Sequence, residues 1–371
     1  MRGSLRCLLP IIFMVLLLIP SSKACTAGEL SLTADAAVLM DYQSGAALYT
    51  YNATKPLPPA STTKVLAGLL SLELGDGKES VMVDPYSASL EGTSLYLKTG
   101  QKFSLYDITK GALINSGNDA AAAIAVHMAG SEEQFAALMN YKAKTVGCWQ
   151  NNFSNPHGLP QDGHAVSAYD LARITRYALR NNDFRQIVGT KSDRIIELSG
   201  SDVIILDNTN RILGHKDGDI EIIGVKTGTT SEAGECLVAA AKNKGHLLIS
   251  VVLGSSNRYA DTLKLMEYGA KNCHYTAVKG KKTLYQVPVK RGSCDTAAVG
   301  TASDISLMVS PQQLPLVDKR LYLKSSLRAP CRKGEPAGRI EIRLENNIIC
   351  STELIVLQDV PRRSFWMRKG K

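Results

Sequence analysis

The helical spacing of apolar residues stops near Cys273 and does not return, so the last hundred residues must fold from strands and turns alone. Short apolar runs at 286–289, 297–299, 306–309, 339–344 and 353–357 read as those strands. They define a separate β-rich domain over 273–360, within the usual size range for one, followed by a basic tail at 361–371. Upstream, runs at 36–40 and 46–51 flank Asp41-Tyr42-Gln43-Ser44-Gly45 and predict a β-hairpin. Pro58, Pro59 and Ser61 open a helical segment over 65–72, and helical patterns recur over 105–130 and 167–180, with the Ala-rich 120–125 buried between other elements. After Asp219 three runs at 220–225, 235–241 and 246–253 are joined by short turns, which favours an antiparallel sheet; a helix over 261–270 closes the unit. The fold class is therefore α+β over 25–272, an antiparallel sheet covered by helices, with a smaller β-rich domain behind it.

Composition places the chain outside the disordered and fibrous classes: 44% of its 371 residues are apolar and 21% charged. Arg2 and Arg6, the uncharged run 7–19 and the small-x-small Ser22-Lys23-Ala24 have the form of a signal peptide over 1–24. The expectation is export, with the mature chain beginning near Cys25 and lying outside the cytoplasm. Of eight cysteines Cys7 leaves with that segment, and the odd number remaining, widely spaced, predicts no disulfide framework. The six histidines show no HExxH or similar spacing, so neither metal nor other cofactor is expected. A formal charge of +9 suits an anionic surface or polymer, while nucleic acid conflicts with export and with the absence of a recognised motif.

Chemistry is concentrated in three short segments. In Ser61-Thr62-Thr63-Lys64, helical spacing puts the hydroxyl and the amine on one face. A serine hydroxyl is a poor nucleophile until something accepts its proton, and a lysine serves once burial and neighbouring positive charge lower its pKa. Alone, the pattern equally describes a capping serine followed by a surface lysine. Ser116-Gly117-Asn118 falls between two helical segments, where a hydroxyl relays a proton and an amide holds a peptide carbonyl. Lys226-Thr227-Gly228 ends a strand, so its backbone can pair with an extended peptide while Gly228 permits close approach. Lys98-Thr99-Gly100 and Ser255-Ser256-Asn257 repeat two of the patterns in the wrong order. Only Ser61, Ser116 and Lys226 give SxxK, SxN and KTG in sequence.

With Pro58-Pro59-Ala60 before the serine, Asn155-Pro156-His157-Gly158-Leu159-Pro160, and Gly224-Val225-Lys226-Thr227-Gly228-Thr229-Thr230, the chain resembles the D-alanyl-D-alanine carboxypeptidases among the low-molecular-mass penicillin-binding proteins. The likeness is close over roughly 30–270. It implies the penicillin-binding and β-lactamase-like transpeptidase fold, a Ser61 acyl-ester, Lys64 as proton acceptor, and Ser116 and Asn118 in proton transfer and positioning. It further implies Lys226, Thr227, Thr229 and Arg258 as substrate-binding residues, the Ser61 and Thr229 amides as oxyanion donors, and His157 as a structural residue. The implied substrate is a peptidoglycan stem peptide ending in D-Ala-D-Ala, with β-lactams as covalent inhibitors.

Three alternatives use related machinery. A class A β-lactamase adds a deacylating Glu between SxN and KTG, whereas residues 134–196 contain no Glu. A transpeptidase or endopeptidase uses the same acyl-enzyme with another acceptor or cleavage point. A non-catalytic penicillin or muropeptide sensor needs no paired nucleophile and base. The tail Pro361-Arg362-Arg363-Ser364-Phe365-Trp366-Met367-Arg368-Lys369-Gly370-Lys371 mixes basic and large apolar residues and suits peripheral contact with an anionic membrane surface.

Overall fold

The structure, a computed structural model, describes residues 14–16, 30–200 and 202–364. The described residues divide into two compact units, 30–272 and 273–364, the latter with 14–16.

The first unit is organised by an antiparallel sheet. Strands β1 (Ala36–Asp41) and β2 (Ala47–Tyr51) form the expected hairpin, and β3 (Ile220–Thr230), β4 (Gly234–Asn243) and β5 (His246–Ser255) form the expected meander, ordered β3-β4-β5-β1-β2 with a short strand Lys216–Asp217 outside β3. Period-2 alternation assigns the two faces. Val38, Met40, Val238, Ala240, Ile249 and Val251 enter the main core with helices α1 (Lys64–Leu74), α2 (Leu105–Leu113), α3 (Asn118–Ala129) and α5 (Ala168–Ala178). The opposite face carries α6 (Arg258–Asn272), whose Gly269 lies so close to the sheet that a Cβ there would sit 2.7 Å from a Leu39 methyl. Both faces are thereby covered, which is why the central strands are almost wholly apolar.

The unit departs from the expected elements in several places, among them the unanticipated helix Asn182–Val188 and the hairpin of Ser192–Ile196 with Val203–Asp207. The helix α4 (Glu132–Thr145) was not anticipated, although Ser131 caps it at Gln134 N and Phe135, Ala136, Met139 and Ala143 form its buried face. Helix α6 begins at Arg258 instead of 261, because Asn257 Oδ1 accepts from Ala260 N and so caps the earlier turn.

In the second unit a seven-stranded sheet runs in the order Met14–Leu16, Val317–Leu323, Pro336–Leu344, Asn347–Val356, Thr296–Gly300, Tyr285–Lys290, Leu327–Arg328. The rest of the apolar leader lies outside the described residues. Val317–Leu323 escaped the sequence reading because Lys319 breaks its apolar alternation; its amine donates to the Ala277 carbonyl at 2.5 Å. Pairing extends into the tail, since Ser293 N donates to Pro361 O and Arg362 bridges to Gly292. The tail's apolar residues lie outside the described ones. No helix among the described residues is long and apolar enough to cross a membrane.

Candidate active site

Ser61 lies in a 3-10 turn, Ala60–Thr63, that feeds directly into α1. The turn is tightly set: Ala60 has φ 48°, Thr62 Oγ1 donates to Pro59 O at 2.6 Å, and Thr63 Oγ1 donates to Ala60 O at 2.9 Å. His164 Nε2 completes the seat 2.8 Å from Thr63 Oγ1, while its Nδ1 accepts from Ser154 N.

One turn on, Lys64 is completely buried. Its Nζ lies 2.9 Å from Ser61 Oγ, 2.8 Å from Asn118 Oδ1 and 2.7 Å from the His157 carbonyl oxygen. Burial, and after it the charge of Lys226, holds the amine well below the usual lysine range, while Asp119 acts weakly in the other direction. A neutral amine beside a serine hydroxyl is able to accept its proton.

Two supports fix this geometry. Asn118, the first residue of α3, donates through Nδ2 to Glu91 O at 2.7 Å, which turns its Oδ1 toward Lys64. The neighbouring Asp119 carboxylate is fully buried and accepts from Ser94 Oγ, Leu95 N and Leu97 N, tying the loop that contains Glu91 to the start of α3. On the other side Asn155 builds the turn that presents His157 O: its Oδ1 accepts from Gly158 N at 2.7 Å and its Nδ2 donates to Leu159 O at 3.0 Å. Gly158, at φ 90°, is pressed against Ala60, where a Cβ would sit 1.9 Å from its carbonyl oxygen. The His157 ring faces elsewhere: Nδ1 accepts from Leu159 N, so Nε2 is the donor toward Glu132.

Ser116 occupies a left-handed conformation, φ 68°, and is 4% exposed. A non-glycine residue held there costs about 1–2 kcal/mol, and such outliers concentrate at functional sites. Among the described residues no hydrogen bond joins its hydroxyl to Lys64 or Lys226.

Strand β3 brings the third segment alongside. A Cβ on Gly228 would lie 2.8 Å from Ser61 N and 3.0 Å from Pro59 O, so the strand and the serine turn are in backbone contact. Lys226 is 1% exposed; its Nζ donates to Thr227 O at 3.2 Å and reaches Thr209 Oγ1 at 3.5 Å. Burial, with a smaller contribution from Arg258, brings it down to about 7. Thr209 Oγ1 is also 2.6 Å from Thr227 Oγ1. Arg258 Nη1 donates to Gly228 O and to Thr229 Oγ1, both at 2.7 Å, and so holds the far end of the strand. The structure thus gathers Ser61, Lys64, Asn118, Lys226, Thr227, Thr229 and Arg258 along one line of contacts. Lys98 of the decoy triplet is exposed near Asp202, and Ser255 donates to Asp261. Sequence reasoning did not single out Glu91, Asp119 or Thr209, and among the described residues no cluster of three or more His, Cys, Asp or Glu is arranged to hold a metal ion.

A serine hydroxyl on the first turn of a helix, a buried lysine as its neighbour and an adjacent strand edge define a lysine-dependent serine acyl-transfer enzyme. Residues 23–257 match the family model for D-alanyl-D-alanine carboxypeptidase, and 274–362 match that for the C-terminal domain of penicillin-binding protein 5. The chain belongs to the D-alanyl-D-alanine carboxypeptidase family. It is 32% identical to D-alanyl-D-alanine carboxypeptidase DacF of Bacillus subtilis, over 95% of this chain and 93% of that one. It is also 32% identical to DacC of Escherichia coli, over 91% and 87%. Penicillin-binding protein 5 of Haemophilus influenzae superposes with a TM-score of 0.64 at 29% identity, covering 91% of this chain and all of that one. A Streptomyces DD-transpeptidase superposes at 0.60 and 27% identity, over 65% of this chain and 98% of its own.

Proposed function

We propose that this serine-type carboxypeptidase removes the terminal D-alanine from peptidoglycan stem peptides through an acyl-enzyme on Ser61, outside the cytoplasm. The observation that carries the reading is the 2.9 Å approach of a fully buried Lys64 amine to Ser61 Oγ. Ser61 Oγ attacks the carbonyl carbon of the penultimate D-Ala while its proton passes to Lys64 Nζ. The oxygen that gains charge is met by the Ser61 and Thr229 amides. The C–N bond then breaks, and the leaving D-Ala amine takes the proton through Ser116, whose strained position beside Asn118 suits a relay. Water activated near Lys64 hydrolyses the ester and regenerates the hydroxyl.

Thr227 and Arg258 are assigned to the substrate's terminal carboxylate, and Lys226 binds the substrate beside them. Arg258 adds positive potential there and positions Thr229, to which it is hydrogen-bonded. β-Lactams enter the same acylation step and leave slowly, since residues 134–196 offer no Glu to act as the deacylating base. Residues 25–272 form the catalytic domain and 273–360 the β-rich domain in this reading, with a leader over 1–24 and membrane contact through the tail after residue 360.

Release of free D-Ala from an N-acylated peptide ending in Lys-D-Ala-D-Ala, comparing the protein with Ser61→Ala, tests the reading. Release that vanishes in the variant supports it. No release from a protein still acylated by penicillin moves it to a transpeptidase, as the Streptomyces neighbour is named, or to a non-catalytic sensor.

A further inference from the structure

A pocket of about 530 Å³ opens beside helix α5, lined by Arg173, Arg176, Arg180, Tyr169, Tyr177 and Gly147 among others. It lies away from Ser61. Arg176 Nε and Nη2 donate to Tyr42 O at 2.6 Å and Gln43 O at 2.7 Å, in the turn after β1. That end of β1 pairs with Leu248, whereas Arg258 follows Ser255 at the other end of β5, about 20 Å along the strand at its usual rise.

Three guanidinium groups at helical spacing repel one another, and spacings of three and four residues bring them side by side. Among the described residues no carboxylate lies within ion-pair distance of any of the three, and Asp41 acts on the Arg176 charge only from farther away. Two carboxylates of this region make hydrogen bonds elsewhere, although Asp41 keeps its Oδ1 buried without a partner. Asp170 accepts from Gln150 N and Asn151 Nδ2, and Asp41 accepts from Ser44 N and Oγ. The positions are also built. Arg176 is wedged against Gly45, and the Arg173 guanidinium occupies the space where a Cβ on Gly147 would sit, 2.5 Å from Nη2. Arg173 lies 5.9 Å over the Tyr169 ring and Arg180 5.8 Å over that of Tyr177, whose hydroxyl accepts from Lys142.

We propose that this pocket binds a phosphodiester-bearing polyanion, using Arg173 and Arg180 as the free forks and Arg176 as a seated third charge. Guanidinium forks match the paired oxygens of a phosphoryl group. Arg173 and Arg176 lie along the helix and Arg180 in the turn just after it, a row longer than one phosphoryl group, which favours consecutive phosphates of a chain.

The test is calorimetric titration of the full chain with a glycerol-phosphate trimer at low ionic strength, comparing the protein with Arg173→Gln/Arg180→Gln and with Lys281→Gln/Lys282→Gln. Arg176 is left intact because it ties down the hairpin. The first pair should weaken binding by about tenfold or more, as loss of charge-assisted hydrogen bonds requires. The second, with the same change in charge, should leave affinity within about twofold, and D-Ala release should be unchanged in both. Equal affinity in the arginine pair, or equal loss in both pairs, overturns the proposal. Binding to phosphatidylglycerol vesicles without binding to the trimer also overturns it, in favour of a membrane surface.

Discussion

Replacing Gly228 by Ala tests the idea that the strand and the serine turn are set against each other with no spare room. The new methyl would lie 2.8 Å from Ser61 N, 3.0 Å from Ala60 Cβ and 3.0 Å from Pro59 O. Two of these are backbone atoms, and ordinary contact begins near 3.4 Å, so β3 and the turn must separate by about 0.6 Å. Overpacking of that kind costs about 1–3 kcal/mol, which in a unit of this size lowers Tm by several degrees. The catalytic cost is larger in proportion, because a misplacement of about 1 Å at a reacting centre is worth about a hundredfold in rate. The expected result is a fall of about tenfold to a hundredfold in the second-order rate of acylation by a fluorescent penicillin, with a folded, slightly less stable protein. A variant acylated at the original rate with an unchanged Tm would show that the strand yields freely, and the argument for a fixed oxyanion site would fail with it.

Other outcomes follow from the buried charges. Burial first and the Lys226 charge second lower the Lys64 pKa, so Lys226→Met should raise it and move the acid limb of the acylation pH profile upward; an unmoved limb refutes the coupling. His164 is brought to about 4, by burial and then His157, against about 6.5 in an unfolded chain. The unfolded state therefore takes up the proton first. Stability is complete above about 6.5 and is lost between there and about 4, by roughly 3 kcal/mol. His164→Gln should flatten the dependence of Tm on pH across that window. Asp119→Ala removes the acceptor of Ser94, Leu95 and Leu97 and should cost about 3 kcal/mol or more in urea unfolding.

The sequence carries Ser61, Lys64, Ser116 and Lys226 openly because each function there needs a particular side chain at a particular spacing. Backbone contributors leave no such mark. The carbonyls of Glu91 and His157 orient Asn118 and Lys64, yet any residue supplies a carbonyl. Asn155 is visible only as the residue that shapes the turn. Thr209 lies in an irregular stretch between Val203–Asp207 and β3, where neither period nor motif draws attention to it. Helix α4 did leave signs, a Ser131 cap and apolar residues at 135, 136, 139 and 143, but its exposed face is so polar that the mean composition masks them. The meander β3-β4-β5 was plain, since burial on both faces gives apolar runs too short to be read as helices.

The three neighbours of the Lys64 amine have a consequence for the direction of proton flow. An ammonium offers three hydrogens and could satisfy all three oxygens as donor. A neutral amine has two hydrogens and one lone pair. The Asn118 amide oxygen and the His157 carbonyl can only accept, so they take both hydrogens. The lone pair is then left facing Ser61 Oγ, the one neighbour with a hydrogen of its own to give. Once Lys64 is uncharged, its surroundings leave it a single orientation, aimed at the nucleophile before any substrate arrives.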